Sequence, residues 1–140
     1  PCRFCNIIKP ERTVHCRYCR KCHKKMDHHC FVINNCVGLN NYKLFFNLLC
    51  YCFVSAVFSL VILVRVEMVR GGYSDSGVVL NAYGNRSHGF YYMASCLCVS
   101  LIVVILLLGY YIIYHSRLIL KGITQVEDMF GIYVFDKEYY

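Results

Sequence analysis

A short stretch near the start of the chain, KKMDHHCFVINNC, holds residue types that serve either metal binding or nucleophilic catalysis. It places Asp27, two histidines and Cys30 side by side, with Cys36 six residues further on. A thiol beside an imidazole and a carboxylate has the composition of an activated nucleophile. Cysteine and histidine are also the preferred ligands of zinc. The use of this stretch therefore depends on how many of its residues a metal requires.

An internal repeat accounts for the metal-binding half of the stretch. The spacing Cys-x-x-Cys, nine residues, His, six residues, Cys occurs twice, and the second copy is displaced from the first by fourteen residues. Each copy supplies three thiols and one imidazole, a common closed set for structural zinc that leaves no ligand position for water. We therefore predict two structural Zn²⁺ sites, the first with Cys2, Cys5, His15 and Cys22 and the second with Cys16, Cys19, His29 and Cys36.

The residues that both zinc sets leave unused form the candidate catalytic centre. In an extended segment, alternation directs His29 to the metal and both His28 and Cys30 to the opposite face. Cys30 is then the predicted nucleophile and His28 the predicted base. Two alternatives stay open: Asp27 could orient the zinc ligand His29 rather than His28, and Cys30 could be a spare buried thiol or an alternative zinc ligand.

Two apolar runs follow this basic, cysteine-rich head. Residues 44–64 and 90–114 comprise 21 and 25 residues without a charged side chain, and as helices each is long enough to cross the hydrocarbon core of a bilayer. A chain of 140 residues is too short to cover two such helices on all sides as the core of a soluble protein. We therefore predict an α-helical membrane protein with two transmembrane helices in this chain.

The distribution of charge predicts how the chain is oriented. Residues 1–43 carry nine Lys or Arg against two acids and hold seven of the eleven cysteines. The positive-inside rule places this segment in the cytosol, where reducing conditions favour metal binding or catalysis over disulfides. We expect a zinc domain with the active site at 1–43, membrane helices at 44–64 and 90–114, a luminal or extracellular loop at 65–89 and a cytosolic C-terminal segment at 115–140. Because the chain begins with proline, we expect a piece of a longer protein.

Taken together, these motifs resemble the DHHC-type protein S-acyltransferases, or palmitoyltransferases. The resemblance rests on CRFC, KPERTVHCRYCRKC, DHHC, NNCVGLNNYKLF and TQVE, and it covers nearly the whole chain. It implies a family fold of four or more membrane helices with the zinc domain between the second and the third, so that the two runs here would be the third and fourth. It also implies an integral, multi-pass protein of the Golgi or endoplasmic reticulum, with the plasma membrane as the alternative.

The resemblance implies acyl transfer in two steps. Cys30 would take a long-chain acyl group from acyl-CoA (palmitoyl-CoA) as a thioester and pass it to a cytosolic cysteine of a membrane-associated protein. His28 would be the base, with Asp27 polarising it. Lys9 and Arg12 of KPER would meet the coenzyme A phosphates, which suits two cations, and ordinary solvated charge is the alternative for both. The implied partners are acyl-CoA, the lipid bilayer and protein substrates, and not nucleic acid.

The chain departs from the family pattern at two places near the site. Phe31 and Val32 stand where many relatives have proline and tryptophan. Gln125 stands where the family has the second threonine of Thr-Thr-x-Glu, which helps tie that segment to the active-site aspartate. The alternative function is therefore a catalytically weak or inactive membrane-anchored zinc-domain adaptor that binds protein partners. Replacement of Cys30 by serine discriminates the two, since only an enzyme requires the thiol.

Overall fold

The computed structural model describes residues 1–74 and 88–131. Four short strands form two antiparallel hairpins, in which β1 (Thr13–Cys16) pairs with β2 (Lys21–Lys24) and β3 (His28–Cys30) pairs with β4 (Asn35–Val37). Three helices follow, α1 (Tyr42–Ser74), α2 (His88–Lys121) and α3 (Gln125–Phe130). The chain divides into two compact units: one comprises residues 1–49 and the chain from residue 112 onwards, and the other comprises residues 50–111.

The cysteine-rich segment uses one hairpin design three times, at the same interval of fourteen residues as the sequence repeat. The equivalent antiparallel partners are Cys2 and Ile7, Cys16 and Lys21, and Cys30 and Asn35. Each turn contains a residue with a left-handed backbone, namely Asn6, Arg20 and Asn34, whose φ angles are 50°, 54° and 47°. Because non-glycine residues seldom adopt this conformation, its recurrence shows that the backbone of the turn is repeated as well as its sequence.

Few apolar side chains are buried in this segment. The buried cluster consists of Cys16, Met26 and Cys36, with Val14 and Cys19 packed against it. Three of these five are cysteines that the sequence predicts as metal ligands. A segment of this size with so small an apolar core generally needs metal ions or disulfides to remain folded.

A network of hydrogen bonds joins the last hairpin to the start of α1. The side chain of Asn41 accepts from the Gly38 N–H at 2.9 Å and donates to the Cys36 carbonyl at 2.8 Å. Gly38 also lies close to the preceding chain, where an added Cβ would stand 3.1 Å from the Lys24 carbonyl oxygen. These contacts set the position at which Tyr42 begins the helix.

Helices α1 and α2 are longer than the apolar runs that predict them. They contain 33 and 34 residues, and their segments Tyr42–Met68 and Tyr92–Lys121 are long and apolar enough to cross a membrane. The most apolar windows of these segments are 6% and 0% buried, unlike helices in the core of a soluble protein. Residues 75–87 of the predicted loop and residues 132–140 of the predicted C-terminal segment lie outside the described residues.

Helix α3 is short and capped at both ends. Thr124 is its N-cap, with its side chain accepting from the Glu127 N–H and the Glu127 side chain accepting from the Thr124 N–H. Gly131 ends the helix in the left-handed conformation that glycine tolerates best. This capping box uses the threonine and the glutamate of the TQVE motif, so the motif forms a rigid helix start.

Candidate active site and metal centres

The structure brings each predicted ligand set together, with the donor atoms of each set within 4.8 Å of one another. In the first cluster, the distances from His15 Nδ1 to the sulfur atoms are 3.5 Å (Cys2), 3.3 Å (Cys5) and 3.7 Å (Cys22). In the second, the distances from His29 Nδ1 are 3.7 Å (Cys16), 3.4 Å (Cys19) and 3.6 Å (Cys36). A tetrahedral zinc ion with ordinary bond lengths places sulfur and nitrogen about 3.6 Å apart. The two clusters could therefore bind metal ions, and their dimensions suit zinc.

An aromatic ring covers the histidine of each cluster. Phe4 stacks on His15 with ring centroids 5.0 Å apart, and Tyr18 stacks on His29 at 4.9 Å. Both rings come from the Cys-x-x-Cys turns CRFC and CRYC, again fourteen residues apart. Such packing holds each imidazole in one orientation toward the thiols of its cluster, as groups around a metal site usually do.

Cys30 occupies in the third hairpin the position that Cys2 and Cys16 occupy in the first two. In the second hairpin, the Cys19 N–H donates to the sulfur of Cys16 at 3.4 Å. The equivalent amides of the third hairpin, those of Val32 and Ile33, donate to the sulfur of Cys30. The third hairpin has Ile33 in place of the second thiol, and neither metal cluster includes Cys30. It therefore supplies amide donors suited to a thiolate without supplying a complete set of metal ligands.

Asp27, His28 and Cys30 form one connected series. Strand β3 directs His29 toward its cluster, and His28 contacts Cys30 on the other face. The carboxylate of Asp27 is buried, and its Oδ2 lies 2.9 Å from His28 Nδ1. Of the two partners that the sequence left open for Asp27, the contact is with His28. Because Asp27 contacts Nδ1 of His28, Nε2 is the ring nitrogen that can accept the thiol proton.

The surroundings of His28 and Cys30 favour an ion pair. Burial lowers the pKa of His28, but its hydrogen bonds with Asp27 and Cys30 outweigh burial and raise this pKa above its ordinary value. Burial raises the pKa of Cys30, but donation from the Ile33 amide, His28 and the Val32 amide leaves this pKa below that of an ordinary thiol. Thiolate is the nucleophilic form of cysteine, so both shifts favour reactivity.

Helix α3 holds the other oxygen of the buried carboxylate. The backbone N–H of Gln125 donates to Asp27 Oδ1 at 2.8 Å. In the family that the sequence resembles, the second threonine of Thr-Thr-x-Glu helps tie this segment to the aspartate, and Gln125 occupies its position here. This hydrogen bond is donated by the backbone, so it remains although glutamine replaces the family's threonine at position 125.

Arg12 has contacts that the sequence did not indicate. Its guanidinium donates to both carboxylate oxygens of Glu127 at 2.6 Å and to the Gly122 carbonyl at 3.0 Å. The side chains of Arg12 and Glu127 are only 4% and 10% exposed. Burial raises the pKa of Glu127, but hydrogen bonds from Arg12 and Thr124 outweigh burial and lower it. The pair is separated by 115 residues, and no local pattern could have revealed it.

The ion pair predicts that Glu127→Gln destabilises the site. The change leaves the buried Arg12 cation without its counter-charge, a loss of about 3 kcal/mol in unfolding free energy. It also loosens the helix start that carries the Gln125 N–H. Thermal unfolding and the acylation rate of the full-length protein are the measurements, with Asp128→Asn as the control.

Asp128 pairs with the exposed Lys121 at 3.9 Å, and such surface pairs contribute about 1 kcal/mol or less. Equal effects of the two variants would contradict the assigned role of Glu127.

A model of the family described as DHHC palmitoyltransferase matches residues 1–131. The chain belongs to this family. The DHHC proteins similar to it include the probable protein S-acyltransferase 15 of Arabidopsis thaliana, which is 39% identical over 126 residues, 90% of this chain and 46% of that protein. Palmitoyltransferase ZDHHC15A of Danio rerio is 42% identical over 82 residues, which is 57% of this chain and 25% of that protein. The chain spans less than half the length of these curated relatives.

The departures of this DHHC chain at positions 31 and 32 lie on the exposed tip of the third hairpin. Phe31 is 68% exposed and Val32 is 92% exposed. The Phe31 ring packs edge-on against Tyr18 and His29 at 5.1 Å. The side chains that differ from the family pattern therefore lie away from the buried Asp27. The backbone amide of Val32 donates to Cys30 whatever its side chain.

Proposed function

We propose that the full-length protein is a protein S-acyltransferase that moves a long-chain acyl group from acyl-CoA to a cysteine of a protein substrate. The observation that carries the proposal is the series from the buried Asp27 to His28 Nδ1 at 2.9 Å and from His28 to Cys30. Membership of the DHHC palmitoyltransferase family and relatives named as S-acyltransferases support the same reaction.

In the first step, His28 holds the proton of the Cys30 thiol and the thiolate attacks the thioester carbonyl of acyl-CoA. A new carbon–sulfur bond forms to Cys30, the bond to the coenzyme A sulfur breaks, and the departing thiolate takes the proton from His28. Asp27 offsets the positive charge on the imidazolium and holds the ring in place. The Val32 and Ile33 amides stabilise the Cys30 thiolate before attack.

In the second step, His28 takes the proton of the acceptor cysteine, whose thiolate attacks the acyl carbonyl on Cys30. The bond to the Cys30 sulfur breaks and the thiolate returns to its amide donors. The low pKa of Cys30 suits this step, because a thiol of low pKa is the better leaving group in exchange between sulfur atoms. No oxidant or reductant is required.

Two structural Zn²⁺ ions are part of the proposal. Cys2, Cys5, His15 and Cys22 would hold the first, and Cys16, Cys19, His29 and Cys36 would hold the second. Each set is closed, so these ions would hold the hairpins rather than take part in acyl transfer. The second would fix His29 and thereby the strand that carries His28 and Cys30.

The substrate sites follow from charge and membrane topology. Lys9 is exposed and would meet the coenzyme A phosphates. The side chain of Arg12 is buried and its charge is balanced by Glu127, so Lys9 would be the main phosphate contact of the two. The helices α1 and α2 would form part of a multi-pass protein with a cytosolic zinc domain, in the Golgi or endoplasmic reticulum or alternatively the plasma membrane. The acceptors would then be membrane-associated proteins with cytosolic cysteines.

His28→Ala tests the assigned base. General base catalysis typically contributes about 10²- to 10⁴-fold, and a loss in this range is expected in the rate of Cys30 acylation. The measurement is transfer of an alkyne-tagged acyl group from acyl-CoA to the full-length protein in phospholipid vesicles, with zinc content measured on the same samples. His23→Ala is the matched control, because His23 belongs to the same domain but to neither metal cluster. An unchanged acylation rate in His28→Ala with zinc retained would exclude His28 as the base.

A further inference from the structure

His115 belongs to no recognisable sequence motif, yet it lies beside Asp27 in the site. It is located near the end of α2 and its side chain is fully buried. Its Nδ1 lies 3.0 Å from the hydroxyl of Tyr42, the first residue of α1. The two partners are 73 residues apart in sequence and belong to the same compact unit.

His115 also faces the buried carboxylate. Its Nδ1 lies 3.9 Å from Asp27 Oδ2, the same oxygen that contacts His28. The rings of His115 and His28 are 6.1 Å apart. Phe45 packs edge-on against both rings, at 5.4 and 4.9 Å. The volume beside Asp27 Oδ2 is therefore filled by His28 on one side and by His115 on the other.

This arrangement limits the rotation of the carboxylate. The Gln125 amide holds Oδ1, and Oδ2 must stay near His28 for the imidazole to keep its orientation. When Nδ1 of His115 carries the proton, the positive end of its N–H dipole points between Asp27 and the Tyr42 hydroxyl. The negative charge of Asp27 therefore favours this tautomer. Loss of the imidazole would remove this dipole and open space into which Oδ2 could turn away from His28.

We propose that His115, itself fixed by Tyr42, is a positioning residue that holds Asp27 and through it His28. His115 is 3.9 Å from Asp27, so we infer that it acts on the reacting sulfur through that carboxylate and His28. The acylation readout of this inference rests on the proposed function. The alkylation readout does not, because it reports only the reactivity of Cys30.

The experiment compares His115→Leu, His115→Asn and Tyr42→Phe with the wild type in the full-length protein. Asn places an amide where Nδ1 of the imidazole stands, whereas Leu keeps bulk without a polar group. Tyr110→Phe is the control for Tyr42→Phe, because Tyr110 is an exposed tyrosine of α2. Each variant is assayed for zinc content, thermal unfolding, the rate of Cys30 alkylation by iodoacetamide, and kcat and KM for acylation by acyl-CoA.

We expect His115→Leu to lower both the alkylation rate and kcat by about 10- to 100-fold, the scale of a misplacement near 1 Å. KM for acyl-CoA and zinc content should stay near wild type, and His115→Asn should recover most of the loss. Tyr42→Phe should show a smaller loss and Tyr110→Phe none.

If His115→Leu does not fold, the alkylation rate of Tyr42→Phe decides the inference. A wild-type alkylation rate in folded His115→Leu would overturn the inference. If His115→Leu is unfolded, a wild-type alkylation rate in Tyr42→Phe would overturn it. Absence of acylation in the wild type would overturn the proposed function alone.

Discussion

Cys30→Ser is expected to abolish formation of the acyl thioester while zinc content stays at the wild-type value. Serine keeps the volume and the amide contacts of the side chain, but its hydroxyl is far less acidic than a thiol. The local donors from Val32, Ile33 and His28 therefore cannot generate the anion at neutral pH. Loss of a nucleophile from a group of residues that act as a unit costs several orders of magnitude, and we expect at least about 10³-fold here.

The assay is hydroxylamine-labile labelling of the full-length protein by an alkyne-tagged long-chain acyl-CoA, with metal analysis of the same preparation. Cys52→Ser provides the control, since Cys52 is an exposed thiol of α1 outside the site. Equal labelling of wild type and Cys30→Ser would indicate acylation elsewhere and favour the adaptor function. Loss of zinc in Cys30→Ser would show that the ligand assignment is wrong.

Cys16→Ser should lose zinc, unlike Cys30→Ser. Cys16 holds the same hairpin position as Cys30 but belongs to the second metal cluster. Its sulfur is buried in the small core of the segment, so loss of this ligand should release the second zinc and unfold the hairpins. Structural zinc contributes about 10–16 kcal/mol of apparent binding free energy to small domains, and the change should remove a large part of it.

Metal analysis and thermal unfolding of Cys16→Ser check this prediction, with Cys30→Ser as the matched substitution fourteen residues away. Acylation should also disappear, because His29 and Cys30 are neighbours on β3 and the strand loses its anchor. A Cys16→Ser protein that keeps two zinc ions and a wild-type unfolding temperature would contradict the assigned role of the second cluster.

The spacing and composition of short stretches predicted the two ligand sets and the two long helices. The two ligand sets come together as the fourteen-residue repeat predicts, because a repeated spacing folds into a repeated hairpin and brings equivalent side chains to equivalent places. The apolar runs likewise predicted two long helices, since length and composition decide whether a helix can cross a bilayer. The repeat also placed Cys30 outside both metal sets, although it could not show the amides of Val32 and Ile33 at the sulfur.

The contacts that orient the site could not be predicted, because they join distant parts of the chain. Alternation along a strand left Asp27 with two partners, and only the contact to His28 Nδ1 distinguishes them. Arg12 was predicted to meet the coenzyme A phosphates, with solvated charge as the alternative, and neither prediction included its ion pair with Glu127. His115 directly follows the second apolar run and belongs to no motif, and its role depends on Tyr42 and Asp27, which other elements supply. Periodicity contains no information about such pairs.

To test whether Cys30 carries the acyl group during transfer, the group would be trapped on Cys30 and then chased to an acceptor. Full-length protein in vesicles would be mixed with a limiting amount of labelled long-chain acyl-CoA, and the modified residues would be located by peptide mass spectrometry at successive times. An acceptor peptide with one membrane-proximal cysteine would then be added. We predict hydroxylamine-labile acyl on Cys30 before the acceptor is added, and its loss at the rate at which the acceptor gains label. Acceptor labelling that proceeds equally in Cys30→Ser would contradict the role of Cys30 as the acyl carrier.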